Sequence, residues 1–232
     1  MALSSFSKSC QMLPTKNQMT KIIGLVQVKG GAGRSTVATN LAGELARFHD
    51  VMLLDCDMPQ GTSASWAAVR TQAGRAGRLQ AETVQSHRDL VDRVERLHGT
   101  VDYIIIDGPP RLAEMSRAII VLSDLCLVPV TASAAEVWAT SDLLTLLDDA
   151  RKIRKVDARL LWTRYRAYTR IAKELSAEAT KTLGLPAMKA ALGYRVAYAE
   201  ALGLGRTASE MGDAEARAEV VGLVVEIRRI MK

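Results

Sequence analysis

The sequence predicts an α/β fold: a doubly wound, mostly parallel sheet flanked by helices. Three observations predict it. Short, nearly continuous apolar runs recur along the chain, helix-length stretches separate them, and the first apolar run leads through a glycine-rich turn into a helix. Unbroken apolar character, without alternation, is what strands need when both faces of their sheet are covered. Strands alternating with helices in the order βαβαβ then imply a doubly wound sheet.

Taken in order, residues 1–20 (MALSSFSKSCQMLPTKNQMT) are polar and show no sustained period, so a flexible leader is expected; they lack the apolar core of ~7–15 residues that a secretory signal needs. Strands are expected at 22–28 (IIGLVQV), 51–55 (VMLLD), 103–107 (YIIID), 125–130 (LCLVPV) and 158–163 (ARLLWT), each too short for a helix. Helices are expected at 35–48, 63–74, 88–97, 114–122 and 135–154, and then at 169–183, 194–202 and 213–231. No linker-like stretch interrupts residues 21–232, which are read as one domain.

Composition removes several classes of protein. At 48% hydrophobic residues the chain is too apolar for disorder, and no apolar run approaches the ~20 residues of a membrane span. Cys10, Cys56 and Cys126 are widely spaced, with no CxxC pair, so neither a disulfide framework nor a zinc ribbon is supported. A reducing cytoplasm is the expected compartment.

The chemistry begins after the first strand, at Lys29-Gly30-Gly31-Ala32-Gly33-Arg34-Ser35-Thr36. A glycine-rich turn between strand and helix lets backbone N–H groups converge on phosphate oxygens, and the helix N-terminus adds its positive end. The common pattern G-x-x-x-x-G-K-[ST] is broken twice, by Val28 at the first glycine and Arg34 at the lysine. The stretch KGGAGRSTVATNLA nevertheless strongly resembles the deviant Walker A motif of the ParA/MinD family of P-loop ATPases. Asp55-Cys56-Asp57-Met58-Pro59-Gln60-Gly61 resembles that family's DxDPQG switch segment, with Met58 an insertion or a shift. Asp107-Gly108-Pro109-Pro110 resembles its Walker B segment, and Gly193–Ala201 its C-terminal R-x-x-x-x-E-A segment. The matches span roughly residues 21–210, in the right order after the right strands.

The resemblance implies a SIMIBI-type P-loop fold, ATP and Mg2+ as cofactors, and roles residue by residue. Gly30, Gly31, Ala32, Gly33, Arg34, Ser35 and Thr36 would bind the nucleotide, and Lys29 would reach across an ATP-sandwich homodimer to the partner's phosphates. Ser35, Asp55 and Asp107 would surround Mg2+. Asp57 would position the attacking water, making Lys29, Arg34 and Asp57 the catalytic set. Thr163 stands where relatives place an asparagine against adenine, and a hydroxyl cannot copy a carboxamide. Arg34 is the larger departure, because a planar guanidinium is not a point-like ammonium. It leaves three consequences open: slow native hydrolysis, binding without turnover, or an exchange introduced to trap a state. Preserved binding with impaired hydrolysis is the expectation.

Charge is unevenly spread. Residues 151–232 hold 17 Lys/Arg against 9 Asp/Glu, whereas residues 1–150 hold 14 against 16. From Arg151 to Arg170, eight basic residues face one acid, Asp157. Relatives of this size bind DNA without sequence preference, and a basic C-terminal third supports that independently, because non-specific affinity comes mainly from Lys/Arg neutralising phosphates. Arg195, Arg206 and Arg170 are the candidate contacts. The resemblance further implies a ParB-like or cargo-adaptor partner that stimulates hydrolysis, a nucleoid-associated cytoplasmic location, and segregation or positioning of a plasmid, chromosome region or protein cargo. Two relatives remain as alternatives: a nucleotide-locked accessory DNA protein of conjugative transfer, and a MinD-like membrane-associated ATPase. The wide apolar face of 213–231, with four acids on the same stretch, suits core packing better than a membrane surface. Redox relatives need cluster-ligating cysteines, and Cys56 and Cys126 read instead as small buried hydrophobes.

Overall fold

The computed structural model describes residues 19–110, 113–131, 133–166 and 170–232; the expected leader therefore lies, but for its last two residues, outside the described ones. Strand β1 (Lys21–Leu25) is followed by helix α1 (Arg34–Leu45), and β2 (Val51–Asp55) by α2 (Thr62–Gln72). Then come β3 (Leu79–Thr83), α3 (His87–Leu97), β4 (Tyr103–Asp107) and α4 (Ala113–Leu122). Next are β5 (Leu125–Thr131), α5 (Ala134–Arg151) and β6 (Ala158–Thr163). Helices α6 (Arg170–Leu183), α7 (Val196–Gly203) and α8 (Ala214–Ile230) complete the chain, with a short 3-10 turn at Ala208–Glu210.

The six strands form one sheet in the order β3-β2-β4-β1-β5-β6, and every pairing among them is parallel. Parallel pairing with crossover helices puts all strand C-termini on one edge, where α/β proteins gather their ligands. Asp55 and Asp107 are register partners there.

Strand β3 is absent from the sequence expectation. Its sequence, LQAET, is mostly polar because only Leu79 is fully buried, so the continuous apolar signature of a doubly covered strand does not arise; β6, the other edge strand, is buried at five of its six residues and keeps it. Strand β1 spans Lys21–Leu25 where a strand over 22–28 is expected; the Val26 N–H still meets the Leu127 carbonyl of β5, and the chain beyond it turns into the loop.

Two apolar cores sandwich the sheet. One holds Leu41 and Leu45 of α1, Trp66 of α2, Tyr198 of α7 and Val220, Leu223, Val224 and Ile227 of α8 against the inward side chains Ile23, Leu25 and Ile105. The other packs α3, α4, α5 and α6 on the opposite face. The apolar stripe of α8 is thus spent on the core, as its wide face suggested. No helix among the described residues is long and apolar enough to cross a membrane.

Around α1 the chain's last third is fastened by polar groups. Asn40 Oδ1 accepts the Ala208 N–H at 2.7 Å, Trp66 Nε1 donates to the Arg206 carbonyl at 2.8 Å, and Arg70 grips Glu210 in a bidentate pair. Gly24 in β1 marks the tightest helix-on-sheet approach. A Cβ there would lie 2.2 Å from Ser123 Oγ and 2.6 Å from Ile119 Cγ2. Gly24→Ala should therefore cost about 1–3 kcal/mol through overpacking, read as a lower urea midpoint at unchanged slope; an unaltered midpoint would show that α4 yields freely.

Candidate functional site

The loop after β1 is held open from below. Gln27, 1% exposed, donates through Nε2 to the Pro129 carbonyl and Thr140 Oγ1 and accepts the Val28 N–H at Oε1. With its side chain fully engaged, Gln27 fixes the loop entrance where the common pattern has a glycine and this chain has Val28. Gly31 and Gly33 then take φ of 84° and 88°, a left-handed backbone that only glycine adopts without strain. Gly33 is the N-cap of α1 and no side chain caps it, so the first N–H groups of the helix are left without a side-chain acceptor there. At the far side Thr163 Oγ1 donates to the Ala32 carbonyl at 2.8 Å and ties the loop to the end of β6.

Arg34 turns back onto this loop. It is 7% exposed, and its Nη1 donates to the carbonyls of Gln27 and Lys29 while Nη2 lies 3.7 Å from Asp57 Oδ2. A planar fork can meet two carbonyls and a carboxylate at once, which an ammonium on a flexible stem does less well. Burial lowers the pKa of Arg34, opposed by the charges of Asp107 and Asp57. Burial likewise raises that of Asp57, and the Arg34 charge counters it.

Facing the loop are the two strand-end carboxylates, and they are not equivalent. Asp55 Oδ1 accepts the Asp57 N–H at 3.0 Å and Oδ2 accepts the Ala64 N–H at 2.8 Å. Both oxygens thus fix the switch turn and the N-terminus of α2. Asp107 is fully buried; its Oδ2 accepts the Ser63 hydroxyl at 2.6 Å, but Oδ1 is buried with no hydrogen-bond partner among the described residues. Burial pushes its pKa up to about 6, tempered by the Ser63 and Ser35 hydroxyls. An unsatisfied buried carboxylate oxygen near a serine hydroxyl suits a hard divalent cation. Ser35 and Asp107 therefore fit Mg2+. Asp55 adjoins them, with its oxygens already engaged by backbone. Met58, the extra residue of the switch segment, lies in the exposed turn that closes where the Gly61 N–H meets the Asp57 carbonyl.

Beside the loop is a cavity of about 390 Å³, bounded by Gly33, Thr36, Thr163, Arg164, Gly193 and Tyr198 among others. Its far wall, the segment leading into α7, is stitched to β6 by the Leu192 N–H on the Trp162 carbonyl and the Tyr165 N–H on the Leu192 carbonyl. Thr163 lines this cavity, and its hydroxyl proton is committed to the loop.

Sequence reasoning missed Gln27, Ser63 and Glu219. Ser63 could have been found by noting that a serine in the first turn of α2 follows the switch glycine; Gln27 and Glu219 carry no local signal. The three candidate DNA contacts have different surroundings. Arg195 is ion-paired with Glu215 and Glu219, Arg206 is half-buried at the end of the Trp66 hydrogen bond, and Arg170 opens α6 with its side chain outside the described ones. The view that the run from Arg151 faces only Asp157 needs correction. Arg151, Lys152 and Arg154 pair with Asp148, Asp149 and Asp124, carboxylates that precede residue 151 in sequence yet adjoin it in space. Cys56 and Cys126 are buried free thiols whose pKa values burial pushes up, that of Cys126 to about 12.

The model of the CobQ/CobB/MinD/ParA nucleotide binding domain matches residues 23–225 of this sequence. The chain belongs to that family. As a CobQ/CobB/MinD/ParA-family member it is 25% identical over 193 residues to the maintenance of carboxysome distribution protein A of Halothiobacillus neapolitanus, covering 82% of this chain and 87% of that one. It is 28% identical over 217 residues to the chromosome-partitioning ATPase Soj of Thermus thermophilus, covering 81% and 87%. Among solved structures, an ATP complex of a Cyanothece McdA variant superposes with a TM-score of 0.76 at 18% identity, covering 90% of this chain and 97% of that one. MinD from Pyrococcus horikoshii complexed with Mg-ADP gives 0.72 at 17%, covering 92% and 98%. These two likenesses establish the P-loop fold of the ParA/MinD type.

Asp107 makes a pH-dependent prediction. Its folded pKa of about 6 lies above the ordinary 3.8, so its contribution to stability is intact below 3.8 and is lost as pH rises through 6. Asp107→Asn, neutral throughout, should be more stable than the parent at pH 8 by on the order of 2–3 kcal/mol in the absence of added nucleotide and Mg2+, with a smaller gap at pH 5. Urea melts at the two pH values measure it; a gap independent of pH would contradict the assignment.

Proposed function

We propose that this chain is a ParA-type ATPase that closes into a homodimer on ATP, binds DNA without sequence preference, and uses partner-stimulated hydrolysis to segregate or position a plasmid, chromosome region or protein cargo. The observation that carries this reading is the meeting of the Lys29 loop, Ser35, the unpaired Asp107 oxygen and the Arg34–Asp57 pair on one sheet edge, next to a cavity large enough for a nucleoside. The names of the relatives, which concern carboxysome distribution and chromosome partitioning, support the same direction.

In this reading the backbone of residues 30–36 cradles the phosphates and Thr163 flanks the base. Ser35 and Asp107 would hold Mg2+, which when bound would supply charge neutralisation for the phosphates. Asp57 orients the attacking water. Lys29 meets the partner's phosphates, so that dimerisation and hydrolysis are coupled. Nucleotide can drive such a cycle only through its different affinity for the open and closed states. DNA is met by Arg206 and Arg170; Arg195 is the weakest of the three, because a DNA phosphate would have to displace two carboxylates from it. The site of action is the nucleoid, in the cytoplasm.

Arg34 favours a second reading. Its Nη1 is engaged by the Gln27 and Lys29 carbonyls, and it must release them to turn toward phosphate oxygens. Binding with little turnover, as in a nucleotide-locked accessory DNA protein, follows if that release is rare. Two measurements separate the readings. DNA binding and oligomeric state, determined with no nucleotide, ADP, ATP and a non-hydrolysable ATP analogue, should show dimer and DNA complex together only with ATP or its analogue; DNA affinity indifferent to both nucleotide and salt would reject the proposal. Steady-state phosphate release should rise at least about tenfold in Arg34→Lys, a loss of barrier near 1.4 kcal/mol, and equal brisk rates would remove any special role for the guanidinium.

A further inference from the structure

We infer that Glu219, on α8, is a positioning residue for the nucleoside subsite: it fixes the cavity wall through Gly193, Arg195 and Tyr198. The inference rests on the nucleotide reading above and extends it to a residue outside every phosphate motif. Glu219 Oε2 accepts the Gly193 N–H at 2.9 Å and the Tyr198 hydroxyl at 2.7 Å, while Oε1 accepts Arg195 Nε at 2.9 Å and Nη2 at 2.8 Å. All three partners line the cavity and Glu219 does not. Charge-assisted bonds of this kind are the strong ones, and at 19% side-chain exposure the carboxylate is only lightly screened.

The arrangement depends on a bare backbone at Gly193. A Cβ there would lie 2.8 Å from Glu219 Oε1 and 3.1 Å from Arg195 Nε. The loop can therefore come down onto α8 only where glycine allows it, and the descent sets the height of the wall opposite Gly33 and Thr36. Arg195, gripped by Glu219 and by Glu215 one helical turn earlier, is braced against that wall. Seven residues further along the helix, Glu226 accepts the Lys189 and Ala190 N–H groups at 2.9 and 2.8 Å. It anchors the same stretch of chain by the same chemistry, yet neither of its partners lines the cavity, so it separates the positioning of the subsite from the general fastening of the segment.

A carboxamide at 219 keeps one acceptor and turns N–H donors toward a guanidinium or another N–H, so at least part of the fourfold grip is lost. The test is calorimetric titration of the full chain with Mg-ATP and with Mg-tripolyphosphate, which carries the phosphates without a nucleoside. For Glu219→Gln the ATP affinity should fall at least about tenfold while tripolyphosphate affinity stays within about twofold. Tyr198→Phe, which removes one bond and keeps the packing, should move in the same direction by about threefold and carries the test if the first variant does not fold. Glu226→Gln should leave the ratio of the two affinities at the parent value. An equal loss for both probes, or no loss for either, would overturn the positioning role. A parent protein that binds ATP no better than tripolyphosphate would overturn the nucleoside reading of the cavity, and the inference with it.

Discussion

A buried carboxylate with one unpaired oxygen is the constraint around which this sheet edge is arranged. Asp107 is fully buried, Asp55 lies beside it in register, and Asp57 follows two residues on. Among the groups that shift the pKa values of Asp57 and Asp107, the cation is Arg34. Negative charge gathered in a low-dielectric setting is costly unless it is matched by positive charge or by donors. Asp55 solves this locally by accepting two backbone N–H groups. Asp107 is helped by the Ser63 and Ser35 hydroxyls, and its Oδ1 has no hydrogen-bond partner among the described residues.

The same logic explains the posture of Arg34. A guanidinium brought into this edge must find acceptors, and it finds the Gln27 and Lys29 carbonyls and the Asp57 carboxylate. It thereby links the loop that would hold phosphates to the carboxylate that would orient water. Gln27 makes this affordable by fixing its own segment through three side-chain bonds, so the loop carbonyls are presented at constant positions. Arg34 is accordingly the side chain that joins the loop after β1 to the switch segment.

Much of this was legible in the residues because the strongest signals are local. Five of the six strands carry the continuous apolar run that double burial imposes, and the Lys29–Thr36 turn announces its own chemistry. What escaped was non-local. Strand β3 is fully buried only at Leu79 and so has no such run, whereas β6, the other edge strand, is covered along most of its length and has one. The hydroxyl of Thr163 donates to the Ala32 carbonyl, a partner 131 residues away. Arg195 was read as a surface cation, and its neutralising carboxylates sit on a helix that begins later in the chain. The acids that pair with Arg151, Lys152 and Arg154 were counted in the other half of the molecule. A split of net charge by residue number cannot see pairs that fold together across the division, so the basic surplus of the C-terminal third is a smaller free surface charge than the count suggests.

The proposed function depends most on Mg2+ being held by the Asp107 oxygen and Ser35 beside a bound nucleotide. Calorimetric titration of the chain with ATP in the presence of Mg2+ and in EDTA tests it most directly. The account predicts binding at least about tenfold tighter with Mg2+, a difference near 1.4 kcal/mol. Equal affinity in EDTA would contradict it, and would leave the buried oxygen without a chemical purpose.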